Sequence, residues 1–266
     1  MKLTTRIVEK PWGRTDIPPA FGDFGGRRIG EIWFEDPDGD GAPLMVKFLF
    51  TSERLSIQVH PDDAAAQAAG FARGKEECWL VLNAEPGAEL GVGLKAATST
   101  DALRTAALDG SIEALIDWRS ARAGDFVYNA AGTIHAIGAG LTVVEVQQNV
   151  DCTYRLYDYG RDRALHLDEG LAVARTTPHA DPRDCRVDAR ATQRLVTGLH
   201  FHLIRAAGPL DHSALPAAPG RYTIVPLGHG CTVDGAALNL GECAIVQSLA
   251  TLDLQDGAVA LIAWPA

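Results

Sequence analysis

The chain has 266 residues, a formal charge of −10 and five scattered cysteines. A net acidic surface excludes a nucleic-acid partner, which needs clustered Lys and Arg, but leaves room for a small anion held by a few local cations. No stretch reaches the roughly 20 apolar residues of a membrane helix, and the first residues lack the apolar core of a signal peptide. An odd number of cysteines without a CxxC pair fits a reducing, cytoplasmic setting.

In chain order, short runs rich in β-branched and aromatic residues predict strands over 27–35 (RRIGEIWFE), 44–50 (LMVKFLF) and 55–60 (LSIQVH). DDAAAQAAGFA (62–72) reads as a helix opened by Asp62, and CWLVLN (78–83) as the next strand. Residues 98–118 carry Leu103, Leu108, Ile112, Leu115 and Ile116 near helical spacing, with Thr98, Ser99 and Asp101 as N-cap candidates. Strands are expected again over 125–130 (DFVYNA) and 141–148 (LTVVEVQQ). Residues 163–192 read as a short helix and a polar connector. From about 193 short strands return, interrupted by a proline-rich loop over 208–220.

Three segments carry candidate chemistry. In LSIQVHP, Gln58 and His60 stand two apart on a strand and so face the same space, as does Ser56. An imidazole and an amide oxygen are competent ligands for a divalent ion, although a polar pair on a half-buried strand would look the same. In GKEECWLVL, Glu77 opens a strongly apolar strand, a costly place for a carboxylate that meets no cation, and Lys75 shares its face. In GDFVYNAAGTIHAIG, Gly124 and Gly132 suit the turns that bracket a strand, and His135 begins the next one. HxH at His200 and His202 lacks a partner at ligand spacing. His166, His179, His212 and His229 fall in loops and are read as solvated; Trp12, Trp33, Trp79 and Trp118 are read as core or pocket wall.

The set PWG (11–13), GEIWFE (30–35), QVHP (58–61), GKEECW (74–79), AGTIHAIGAG and EVQQNVDCTYRLYDYGR (145–161) resembles the class I mannose-6-phosphate isomerases, in particular their shorter bacterial type. That resemblance covers about residues 9–161. It implies an all-β fold of the cupin superfamily, a jelly-roll barrel with a few inserted helices and a second, smaller cupin-like unit. It also implies one Zn²⁺ held by Gln58, His60, Glu77 and His135, with other divalent metals as alternatives, and an essential arginine at Arg155. The expected division is 1–165 for the metal-binding unit with its helical insertion at 98–118, 166–192 as connector, and 193–266 for the smaller unit. Two departures stand out: Ala130 replaces a proline before His135, and Glu76 replaces a threonine beside Glu77, adding negative charge near the site.

The implied reaction interconverts mannose 6-phosphate and fructose 6-phosphate by proton transfer through an enediolate, whose charge must be stabilised. Lys75 or Glu145 is expected to carry the proton, Glu145 being equally readable as a hydrogen-bond partner in the barrel. Arg155 is expected to offer positive charge, and Ser56, Arg155, Arg161 or Arg163 to hold substrate. The competing expectations are a cupin enzyme acting on a different, unphosphorylated sugar or, with iron, on O₂, and a non-catalytic metal-containing sugar-binding cupin.

Overall fold

The computed structural model describes residues 1–37, 41–216 and 220–266; residues 38–40, and 217–219 of the expected proline-rich loop, lie outside the described residues. The first half of the chain supplies strands β1 (Thr4–Arg14), β2 (Ile29–Glu35), β3 (Leu44–Phe50), β4 (Ile57–Val59), β5 (Glu77–Ala84), β6 (Glu89–Leu94) and β7 (Ile116–Ser120). These are followed by β8 (Asp125–Asn129), β9 (His135–Ile137), β10 (Leu141–Gln148), β11 (Tyr154–Tyr157) and the edge strand β12 (Cys185–Arg186). They form a seven-stranded sheet, β1-β2-β3-β10-β5-β8-β12, and a five-stranded sheet, β11-β4-β9-β6-β7. Every pairing is antiparallel.

Period-two alternation explains how the seven-stranded sheet is used. Ile32, Phe34, Val46, Phe48, Cys78, Leu80, Phe126, Tyr128, Val144 and Val146 pack in one buried cluster with Leu195, Phe201, Leu203, Val225 and Leu261 from the C-terminal region. The intervening residues of the same strands face the five-stranded sheet. There Leu49, Trp79, Val81, Val127 and Val143 meet Leu90, Val92 and Ile137. A sheet buried on both faces needs apolar residues at nearly every position, which is why β10 is buried throughout. Its charged interruptions are therefore the informative ones.

Four helices complete this half: α1 (Asp63–Ala68), α2 (Thr100–Asp109), α3 (Ile112–Leu115) and α4 (Leu167–Val173). Asp62 caps α1 by accepting from the Ala65 N–H, and Ser99 caps α2 by accepting from Ala102. The helix expected over 98–118 is shorter than its apolar spacing implied. Gly110 ends α2 in the left-handed region at φ +84°, a single turn follows, and Ile116–Trp118 already belong to β7. Within residues 166–192, α4 packs with Leu156 and Ile57 behind the five-stranded sheet, and β12 extends the other.

The C-terminal strands are β13 (Gln193–Thr197), β14 (Phe201–Ala207), β15 (Tyr222–Pro226), β16 (Cys231–Val233), β17 (Ala236–Leu238), β18 (Ala244–Val246), β19 (Leu252–Leu254) and β20 (Val259–Pro265). They form a five-stranded sheet, β13-β14-β20-β15-β18, facing a three-stranded one, β17-β16-β19. Ile204, Ile224, Ile262, Leu238 and Leu252 fill the space between them. The N-terminus is tied into this region, Leu3 N–H donating to Cys243 and Ile245 N–H to Met1.

Candidate metal centre

Glu77 is the anchor of the site. It pairs in register with Gln147 and Asn129 inside the seven-stranded sheet and is fully buried. Across from it, β4 carries Gln58 in register with His135 of β9, and His60 follows β4 directly. The turn that delivers His135 has Gly132 at φ +84°, its N–H donating to the His60 carbonyl at 2.8 Å. Ala130, in the place of the expected proline, still closes this turn by accepting from the Thr133 N–H at 3.0 Å.

Ligand-type atoms of His60, Glu77 and His135 lie within 4.8 Å of one another. His60 Nε2 is 3.5 Å from Glu77 Oε2, and His135 Nε2 is 3.4 Å from Glu77 Oε1. Two ligands of a tetrahedral ion at zinc bond lengths stand about 3.3 Å apart, so these separations fit one small cation. His135 Nδ1 sits 2.9 Å from the Thr133 carbonyl; donating there leaves Nε2 with its lone pair toward Glu77. Gln58 lies against the same imidazole, with Nε2 3.3 Å from His135 Nε2 and Oε1 accepting from Ser56 Oγ at 3.0 Å. An amide is symmetric in shape, so a half-turn brings Oε1 to face the cluster.

Electrostatics tell the same story. Lys75 Nζ pairs with Glu77 Oε2 at 2.7 Å and lies 3.1 Å from His60 Nε2, so a cationic group already stands beside both. Burial pushes the Glu77 carboxyl up, but Lys75 and then the two imidazoles outweigh it and hold it well below the carboxylate range. Burial, aided by Lys75, pushes His60 down to about 3, and burial lowers His135 as well. Two neutral imidazoles and an ionised carboxylate, buried together, are a donor set suited to a divalent cation.

Above this floor opens a cavity of about 380 Å³, within the range of small-molecule sites. Ser56, Gln58, Lys75, His135, Glu145 and Arg155 all line it. Glu145 is buried, accepts from Trp79 Nε1 at 3.0 Å and pairs with Lys47 at 3.4 Å. Burial, then Glu77, raises its carboxyl above the ordinary value. Lys75 moves the other way: burial opposes its charge, but Glu145 and Glu77 hold it protonated. Arg155 is half-buried and donates to the Ala164 carbonyl at 3.1 Å. Arg161 is bonded to Glu53, Asp158 and the Arg54 carbonyl and is not part of the cavity wall; Arg163 is, although it donates to both oxygens of Asp158 at 2.6 Å.

Several wall residues escape a reading by motif. Lys47 is a buried charge in the middle of LMVKFLF, the same signal that singled out Glu145. Glu31 accepts from Trp33 Nε1 at 2.6 Å and pairs with Lys10 at 3.5 Å. His166 is not simply solvated: it lines the cavity, and its Nδ1 accepts from the Arg155 N–H at 3.2 Å. His179 is also withdrawn from solvent, bonded to Asp184 at 2.9 Å. Glu76, adjacent to Glu77, turns to the opposite face of the sheet, where it meets the Tyr128 hydroxyl, so its charge is directed away from the cluster.

Comparison with known proteins agrees with this geometry. Over 137 residues the chain is 42% identical to the mannose-6-phosphate isomerase of Streptococcus mutans, a match covering 49% of this chain and 43% of that one. It is 38% identical over 165 residues to the mannose-6-phosphate isomerase ManA of Bacillus subtilis, covering 57% and 52%. The chain thus spans about half the length of the curated relatives it matches. The crystal structure of the mannose 6-phosphate isomerase from Bacillus subtilis superposes with a TM-score of 0.79 at 26% identity, over 98% of both chains. This chain is similar in sequence and fold to the mannose-6-phosphate isomerases. The fold alone is shared with a zinc-bound mannose 6-phosphate isomerase, TM-score 0.71 at 13% identity, over 99% of this chain and 98% of that one. No family model matches the chain. The cupin-type, mostly β architecture expected from the sequence is the one observed. No helix is long and apolar enough to cross a membrane among the described residues.

Proposed function

We propose that this protein is a zinc-dependent aldose–ketose isomerase that interconverts mannose 6-phosphate and fructose 6-phosphate. The observation that carries this reading is Glu77: a fully buried carboxylate each of whose oxygens faces an imidazole nitrogen, at 3.5 and 3.4 Å, at the foot of a sugar-sized cavity. Gln58, His60, Glu77 and His135 would hold the ion. A divalent cation there supplies positive potential for the oxygens at C1 and C2 of the sugar.

The remaining roles follow from the surrounding charges. Glu145, with its raised carboxyl, takes the proton from C2 of the aldose and returns it to C1, while the proton of the C2 hydroxyl passes to the C1 oxygen; the reverse reaction runs the same path backwards. Lys75, held cationic by two carboxylates, and Arg155 donate hydrogen bonds to the oxygens on which enediolate charge builds. Ser56 orients Gln58 and binds a sugar hydroxyl. Of the described cations on the cavity wall, Lys10, Lys47, Lys75 and Arg163 are paired with Glu31, Glu145, Glu77 and Asp158, whereas Arg155 donates to the Ala164 carbonyl and is the one left to hold an anionic sugar. We also assign residues 1–165 to the metal-binding unit and 193–266 to the smaller one.

The test is conversion of mannose 6-phosphate, with mannose in parallel, after exhaustive chelation and again after adding zinc back. Activity should vanish and return, and mannose should be at least about a hundredfold poorer, the worth of two charge-assisted hydrogen bonds. Turnover that survives complete metal removal sinks the proposal. Equal use of mannose points to an unphosphorylated sugar, and sugar binding without turnover points to a binding module.

A further inference from the structure

Behind the metal cluster, on the opposite face of the seven-stranded sheet, lies a second polar layer. Glu76 precedes Glu77 and points to this side, where Tyr128 of β8 donates its hydroxyl to Glu76 Oε2. Arg183 lies over the Tyr128 ring at 3.3 Å. Gln148, at the end of β10, accepts from the Glu76 N–H at 2.8 Å and donates to Asp63 Oδ1 at 3.0 Å. Asp63 Oδ1 in turn accepts from the Gly74 N–H at 2.7 Å, and the Lys75 N–H donates to the Pro61 carbonyl at 3.0 Å.

Into this layer reaches His200, from the β13–β14 hairpin of the C-terminal region. Its Nδ1 lies 3.6 Å from Asp63 Oδ2 and 3.3 Å from Gln148 Nε2, and its Nε2 lies 3.9 Å from Glu76 Oε1. Each segment that carries a charged or imidazole group of the cluster thus has a neighbour in the second layer. Asp63 follows His60 by three positions, Glu76 adjoins Glu77, and Tyr128 is the last residue but one of β8, the strand before the turn that delivers His135.

We infer that His200, Glu76 and Tyr128 form a clasp through which the C-terminal hairpin fixes the spacing of His60, Glu77 and His135, and so sets the affinity for the metal. These are positioning residues: none belongs to the cluster or lines the cavity. Outer-layer partners that orient metal ligands commonly control affinity by 10- to 100-fold. The geometric reason is that a four-ligand site tolerates displacements of only a few tenths of an ångström. Glu76 contributes as a hydrogen-bond acceptor for Tyr128, not as a charge acting on the ion through the sheet. The inference rests on the reading of Glu77 as a ligand.

The experiment is the zinc dissociation constant of the full chain, measured by competition with a chelating indicator, with apo-protein melting recorded in parallel. His200→Ala, Tyr128→Phe and Glu76→Ala should each weaken zinc by about tenfold or more, while Glu76→Gln, which still accepts a hydrogen bond, stays within threefold of the parent. Leu199→Ser, an exposed change on the same hairpin, should leave affinity unchanged. Glu77→Gln is the reference. If it binds zinc like the parent, the metal-centre reading is wrong; if it loses zinc while the clasp variants keep parental affinity, only the clasp is wrong. Failure of Glu76→Gln as complete as that of Glu76→Ala also overturns it, because charge would then be in control. Should His200→Ala not fold, Tyr128→Phe removes a single hydroxyl and decides the matter.

Discussion

At the scale of single residues, the site separates groups that would hold an ion from groups that would act on a substrate. His135 is wholly buried and its Nδ1 is spent on Thr133, so its sole free function is at Nε2 beside Glu77. His135→Ala should therefore lose zinc by more than the 10- to 100-fold typical of an outer-layer partner, with the fold retained. Arg155 lines the cavity and has no ion pair with the cluster. Arg155→Ala should keep its zinc and lose roughly 10²–10³ in kcat, the cost of removing one donor to developing negative charge. Metal analysis of both variants alongside their rates checks the assignment; loss of zinc from the arginine variant would contradict it.

At the scale of elements, the junction between β4, α1 and the start of β5 does the positioning. Gly74 lies so close to the α1 entry that a Cβ there would fall 2.3 Å from the Asp62 carbonyl carbon and 2.5 Å from the Asp63 nitrogen. Backbone atoms on both sides cannot give way as a side-chain tip would. Gly74→Ala should cost about 1–3 kcal/mol, read as a shift in a urea melt. Because the same residue leads into Lys75 and Glu77, zinc affinity should fall with it. Unchanged stability would mean that this contact is looser than it stands here.

At the scale of the whole molecule, the seven-stranded sheet is shared. One face closes over the candidate metal centre; the other packs Phe48, Leu80 and Val146 against Phe201, Leu203 and Leu261. Removing residues 193–266 would strip that second face, leaving a large apolar surface open to water. The full chain should accordingly unfold in one calorimetric transition, and residues 1–192 alone should be aggregation-prone. Two separate transitions would show that the shared core does not couple the halves.

Much of the site was legible in the sequence because its chemistry is local. LSIQVHP puts Ser56, Gln58 and His60 on one face through strand periodicity, Glu77 stands out as a carboxylate opening an apolar strand, and the glycines at 124 and 132 mark the turns around His135. The length of the helix in 98–118 was misleading because apolar spacing ran on through a short turn into β7, past a glycine cap. The sequence could not divide labour among the charges. Arg161 and Arg163 sit two apart, yet only Arg163 reaches the cavity, while Arg161 is drawn to Glu53, 108 positions away. Strand alternation parts Glu76 from Glu77, but it could not name their neighbours, His200 for the one and His60 and His135 for the other. Spacing along one strand is set by the covalent chain and is readable from it; which distant group completes a pair is set by sheet order and packing, and only the tertiary structure decides it.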